Sequence, residues 1–75
     1  MWQAEWEQCG KNSYRTSDHK GRMWSLWLLS AKEGHFPPGW RLMRKGTRST
    51  KAVAAEDRTL KFVHESAEMI IRENT

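Results

Sequence analysis

Ser25 to Trp40, SLWLLSAKEGHFPPGW, joins an apolar run to a polar break and then to two prolines and a glycine that set the approach to a second tryptophan. Extended back to Arg22, the apolar run reads RMWSLWLLS, and its alternating positions are Trp24, Leu26 and Leu28 against Met23, Trp27 and Leu29. Both faces are apolar apart from Ser25, the pattern of a strand covered on two sides. Pro37 and Pro38 lack the N–H that a ladder needs and hold the preceding residue extended, so the strand ends before them. GWRLMRK, from Gly39, resumes as a further strand. A chain with few elements has little with which to cover both faces of the middle strand, so one face is expected to await a partner.

Working outward from this pair, the N-terminal stretch WQAEWEQ alternates Trp2, Ala4 and Trp6 with Gln3, Glu5 and Glu7, the period of a half-buried strand. GKNSYRTSDHKG, from Gly10 to Gly21, is polar and glycine-bounded and reads as a loop with room for a short strand near Tyr14. On the C-terminal side, Val53, Leu60, Val63, Ala67, Ile70 and Ile71 form a helical stripe. Thr50 is a candidate N-cap because its hydroxyl can accept an orphan N–H of the first turn; onset at Asp57 instead leaves KAVAA as a fourth strand. The expected fold is α+β, a three-stranded antiparallel sheet with one C-terminal helix packed on one face, in a single domain covering residues 1–75.

The chain has 75 residues, of which 37% are hydrophobic, 29% are charged and five are Trp, so aromatic mass substitutes for core volume in a domain too small for more than one core. Its net charge of +4 is uneven: residues 1–50 hold nine Lys or Arg against four Asp or Glu, and the remainder four against five. That imbalance favours an anionic partner such as a nucleic acid. The single cysteine, Cys9, cannot form an internal disulfide, which fits a reducing cytoplasmic setting. No apolar run approaches the roughly 20 residues of a membrane span, and Glu5 and Glu7 stand where a signal peptide would be basic and then apolar. A soluble, unprocessed protein is expected.

Chemistry-bearing residues are sparse. Cys9, His19, His35 and His64 follow none of the paired spacings of zinc sites, so no metal site is assigned. No nucleophile elbow or phosphate-cradling glycine loop is present, since KGTRSTK has the residue types without the order; no catalytic residues and no cofactor are assigned. Arg41, Arg44, Lys45, Arg48 and Lys51 form the one cationic run, able to meet phosphates along a strand and its turn while Trp24 or Trp40 stacks on bases. This supports a sheet-based DNA- or RNA-binding domain, in the manner of the small three-strand-plus-helix domains of phage integrases. Cations of this kind also blunt an exposed strand edge against self-pairing.

DHKGRMWSLW followed by PPGW resembles the small MbtH-like proteins, whose pattern includes S-L-W and, further on, P-x-G-W before a terminal helix. Ser25, Leu26 and Trp27 match the first motif and Pro37 to Trp40 the second, while Leu28 stands where that family has proline and the family's C-terminal signature is absent. The resemblance implies three antiparallel strands with a helix, and a non-catalytic accessory role in which two tryptophans receive a side chain from the adenylation domain of a peptide synthetase. Trp27 and Trp40 would be the jaws of that crevice, with Ser25 and Leu26 shaping it. Two rigid rings lose little rotamer freedom on binding and can exclude water around a methyl-sized knob. The leading expectation is therefore a protein-docking module with an aromatic sheet face, with nucleic-acid binding as the alternative and a homodimer through Met23, Trp27 and Leu29 as a third.

Overall fold

The computed structural model describes residues 4–30, 34 and 37–74, and these contain five strands and one helix. The strands are β1 (Glu7–Gly10), β2 (Ser13–Ser17), β3 (Met23–Leu29), β4 (Gly39–Arg44) and β5 (Lys51–Ala54), and the helix is α1 (Leu60–Glu73). All neighbouring pairs are antiparallel in the order β1-β2-β3-β4-β5, so the chain is a five-stranded meander with a helix laid across one face. The α+β class and the C-terminal helix stand, but the expected three strands are corrected to five.

The two extra strands come from segments whose patterning is faint. In β2, Tyr14 and Thr16 point to the helix side while Ser13, Arg15 and Ser17 point away, an alternation written mostly in polar residues. Tyr14 packs against the core and Thr16 is buried, so a threonine serves here as an interior residue. In β5 the register slips between Trp40 and Arg41, which bulges the strand and brings both Val53 and Ala54 against the core. A bulge of this kind erases the period-two signal locally. The N-terminal strand is also displaced: Trp2 and Gln3 lie outside the described residues, and pairing begins only at Glu7.

Helix onset falls later than Thr50 or Asp57. Thr59 is the N-cap, its hydroxyl accepting the N–H of Phe62 at 3.3 Å, and Val63, Ala67 and Ile71 repeat every fourth residue on the buried face. The C-terminal carbonyls are tied off by Asn74, whose Nδ2 donates to Ile70 O at 2.7 Å and whose backbone N–H donates to Ile71 O at 3.1 Å. Trp24, Leu26, Trp40 and Leu42 complete the core from β3 and β4.

Gly39 has φ +144°, and a Cβ there would stand 2.8 Å from the carbonyl oxygen of Ala54. The glycine of PPGW is thus required by the close approach of β4 to β5. Met23, Ser25, Trp27 and Leu29 on β3, with Arg41 and Met43 on β4, make up the middle of the face that the helix leaves uncovered.

Candidate nucleic-acid interface

The strand register separates the two tryptophans of the proposed crevice. Leu28 pairs with Trp40 and Trp27 with Arg41, so adjacent rows of the ladder alternate faces. Trp40 is 6% exposed in the helix-side core and Leu26 is fully buried beside it, whereas Trp27 is half-buried and Ser25 exposed on the opposite face. Trp27 and Trp40 therefore do not bracket a common space. Trp40 instead meets Tyr14 at 6.2 Å between ring centroids, within a cluster in which Tyr14 abuts His64 at 4.9 Å and Trp6 stacks on His64 at 5.0 Å. Burial lowers the pKa of His64, an effect that the charge of Glu68 partly offsets. Glu68 also accepts the indole N–H of Trp6 at 3.3 Å.

The cationic run is divided as well. Arg41 is 8% exposed and lies on the uncovered face next to Trp27, while Arg44, Lys45, Arg48 and Lys51 gather around the turn between β4 and β5. In an antiparallel meander alternate turns fall at the same end, so the β4–β5 turn lies with the β2–β3 turn. Lys45 N–H donates to Met23 O at 2.8 Å, which joins the two turns directly. Arg22 Nη2 donates to Asn74 O at 3.3 Å, which brings the C-terminus of the helix to the same place.

One end of the sheet thereby collects Lys20, Arg22, Arg44, Lys45, Arg48, Lys51 and Arg72, seven cations. Among the described residues the carboxylates near that end are Glu5 at the β1 corner, Glu7, Asp18 and Glu73, with Glu7 taken up by Arg15, so cations outnumber carboxylates there. Asp18 is held by Arg22 Nε at 2.9 Å, and neither Arg44, Lys45, Arg48 nor Lys51 has an ion pair among the described residues. At the other end, among the described residues, Lys11, Arg58 and Lys61 stand with Glu56, Asp57 and Glu65. Arg15, on the uncovered face, is paired with Glu7 at 2.9 Å.

Asp18 builds the β2–β3 turn and was not foreseen as a key residue. Its carboxylate accepts the N–H groups of Lys20 and Arg22, the Arg22 guanidinium and the Trp24 indole N–H, each at 2.9 Å. Gly21, at φ +79°, closes the turn with its N–H on Asp18 O at 3.0 Å. Burial pushes the Asp18 carboxyl upward, but hydrogen bonds from Trp24, Arg22 and Lys20 outweigh it and hold the group well below the usual carboxylate range. The sequence signal was DHKG, an Asp two residues before a position whose N–H it captures, closed by glycine. Beside the β4–β5 turn and the helix end lies a recess of about 180 Å³ floored by Trp24 and Leu42 and walled by Arg44, Thr47, Ser49, Lys51 and Asn74.

Among the described residues no three of His, Cys, Asp and Glu gather as metal ligands, and no helix is long and apolar enough to cross a membrane. Cys9 on β1 and His19 in the β2–β3 turn are both exposed, and His35 lies outside the described residues. Comparison of the chain with models of protein families, with curated proteins and with solved structures returned no match.

Proposed function

We propose that the protein is a small non-catalytic module that binds nucleic acid through the basic end of its sheet, holding the phosphate backbone with Arg44, Lys45, Arg48 and Lys51. The observation that carries this reading is the gathering of cations from two turns and a helix terminus at one end, with the β4–β5 group unpaired among the described residues. Phosphate contacts supply sequence-independent affinity. Among the described residues no aromatic side chain is exposed at that end for base stacking, since Trp24 is buried and Trp27 lies towards the opposite end of β3, across from Ser13 and Arg41. Binding is accordingly to the backbone, with little preference among bases. The test is a titration of the protein with a labelled oligonucleotide at low and high salt. Absence of binding at low salt, or binding insensitive to salt, refutes it.

A second reading rests on the uncovered face, where Met23, Trp27 and Leu29 are half-buried without a helix over them. A protein partner docking there, as the resemblance to MbtH-like proteins implies, would use Trp27 as a single aromatic anchor and not a pair. Trp27→Ala would then abolish capture of that partner, including a second copy of this chain, while leaving oligonucleotide binding intact.

A further inference from the structure

We propose that the recess at the basic end is a binding pocket for a phosphate monoester, a site that deepens the phosphate-binding reading and rests on it only for the source of the phosphate. The recess holds about 180 Å³. That is below the roughly 300 Å³ at which pockets for whole small-molecule ligands begin, and several times the ~30 Å³ share of one water. It fits one tetrahedral oxyanion with a few waters and excludes a complete nucleoside. Its floor is apolar and buried, formed by Trp24 and Leu42, so a charge inside is screened less than one on the open surface.

The walls match a dianion. Arg44 and Lys51 both line it, carried by β4 and β5, and both are without ion pairs among the described residues. A phosphate monoester carries about −1.5 to −2 at neutral pH, which two cations neutralise, whereas a backbone diester carries one charge. Arg44 supplies the planar fork suited to phosphate oxygens and Lys51 a compact charge. Thr47 donates its hydroxyl to Arg44 O at 2.7 Å, so it shapes the turn, and the Ser49 hydroxyl is a further donor on the wall. The helix points its carbonyl end towards this place, which would repel an anion if left open. Asn74 covers the carbonyls of Ile70 and Ile71 and Arg22 takes the Asn74 carbonyl in turn, which lessens that repulsion.

The phosphate can come from the end of a nucleic-acid strand or from a free small phosphate ester. Two experiments on the full chain separate the cases. In the first, oligonucleotides of one sequence carrying a 5′-phosphate or a 5′-hydroxyl are titrated by fluorescence anisotropy. In the second, inorganic phosphate and a nucleoside 5′-monophosphate are titrated against 15N-labelled protein at constant ionic strength. The expected result is about tenfold tighter binding of the 5′-phosphate end, the effect of one charge-assisted contact. Saturable shifts of the Thr47, Ser49 and Lys51 amides and of the Trp24 indole should accompany it. Lys51→Gln and Ser49→Ala, at exposed positions, should reduce both effects with the remaining spectrum unchanged. Saturable shifts without an end preference in the oligonucleotides assign the pocket to a free phosphate ester. Saturable shifts with no oligonucleotide binding at low salt leave the pocket standing and refute the nucleic-acid reading. Equal affinities for the two ends together with no saturable shift overturn the pocket, whatever the oligonucleotides do otherwise.

Discussion

Replacing Arg44, Lys45, Arg48 and Lys51 together by Gln should abolish most of the salt sensitivity of nucleic-acid binding. Each cation that neutralises a phosphate contributes about −0.9 to the slope of log K against log salt for duplex DNA and about −0.7 for single strands. These four side chains crowd one turn and have no ion pairs among the described residues, so all four are available to phosphates. Four contacts give a slope of about −3.6 for a duplex or about −2.8 for a single strand. Raising the salt fourfold, from about 50 to about 200 mM, then weakens binding by roughly 50-fold to 150-fold. The assay is anisotropy of a labelled oligonucleotide at four or five salt concentrations, with circular dichroism of the variant to confirm folding. Lys45→Gln and Arg48→Gln alone each remove a little under one unit of slope, and being exposed they change stability by less than about 0.5 kcal/mol. Lys11→Gln and Lys61→Gln, exposed and away from the basic end, serve as controls that leave the slope alone. If the fourfold variant binds like the parent with the same slope, or if the two controls lower it as much, the assignment of the basic end is wrong.

Asp18→Ala leaves the Trp24 indole and the Arg22 guanidinium without their shared acceptor and should cost about 3 kcal/mol or more, read by chemical denaturation. Because the folded Asp18 carboxyl is held below its unfolded value of about 3.9, its stabilisation is complete above that pH and is lost as the pH falls towards its folded pKa. Thermal scans should show the parent losing stability below about pH 4 more steeply than Asp18→Asn does. Trp40→Ala removes a buried core ring and should cost about 3–5 kcal/mol, while Trp27→Ala, half-buried on the uncovered face, should cost roughly half as much; equal costs would mean that the two rings share one environment. Gly39→Ala forces a Cβ against Ala54 O and a positive φ on an ordinary residue, so its melting temperature should fall by the equivalent of about 1–3 kcal/mol.

What could be read from the chain follows how loudly each element is patterned. β3 was plain because Trp24, Leu26 and Leu28 alternate cleanly, and its doubly apolar character was correct in kind, with Met23, Trp27 and Leu29 left half-buried on the helix-free face. The prolines and Gly39 marked the start of β4 correctly, but their purpose is the approach to Ala54 and not the shaping of a crevice. β2 was legible as a loop with room for a short strand near Tyr14 and no more, since its inward residues are Tyr14 and Thr16 and its end is governed by a buried Asp18 that no hydropathy pattern announces. Onset at Thr50 misplaced the start of the helix, because Val53 extends the apolar stripe numerically while belonging to a bulged strand; the alternative onset at Asp57 left KAVAA as a strand, which β5 is, and fell two residues short of the Thr59 cap. Thr59, three residues before Phe62, was the cap signal that lay unused.

The same arithmetic of the ladder bears differently on the two proposed readings. An interval of 13 residues between Trp27 and Trp40 says nothing about faces until the register is known, and pairing Leu28 with Trp40 places the second ring one step out of phase with the first. A slip of one residue would have put both rings on one face and restored the crevice. That register is pinned by Leu26 on Leu42 in the core row and by Gly39 against Ala54 on the other side of β4, so it is not free to slide. The cations are subject to the opposite logic. Residues in turns need no common face, and a meander brings alternate turns to one end whatever the register within each strand. A run such as RKGTRSTK, once placed on the β4–β5 turn, must therefore meet the Lys20 and Arg22 of the β2–β3 turn. Charge gathered by topology persists through small errors of register, whereas an aromatic pair assembled across strands does not; for that reason the basic end is the stronger basis for function in this fold.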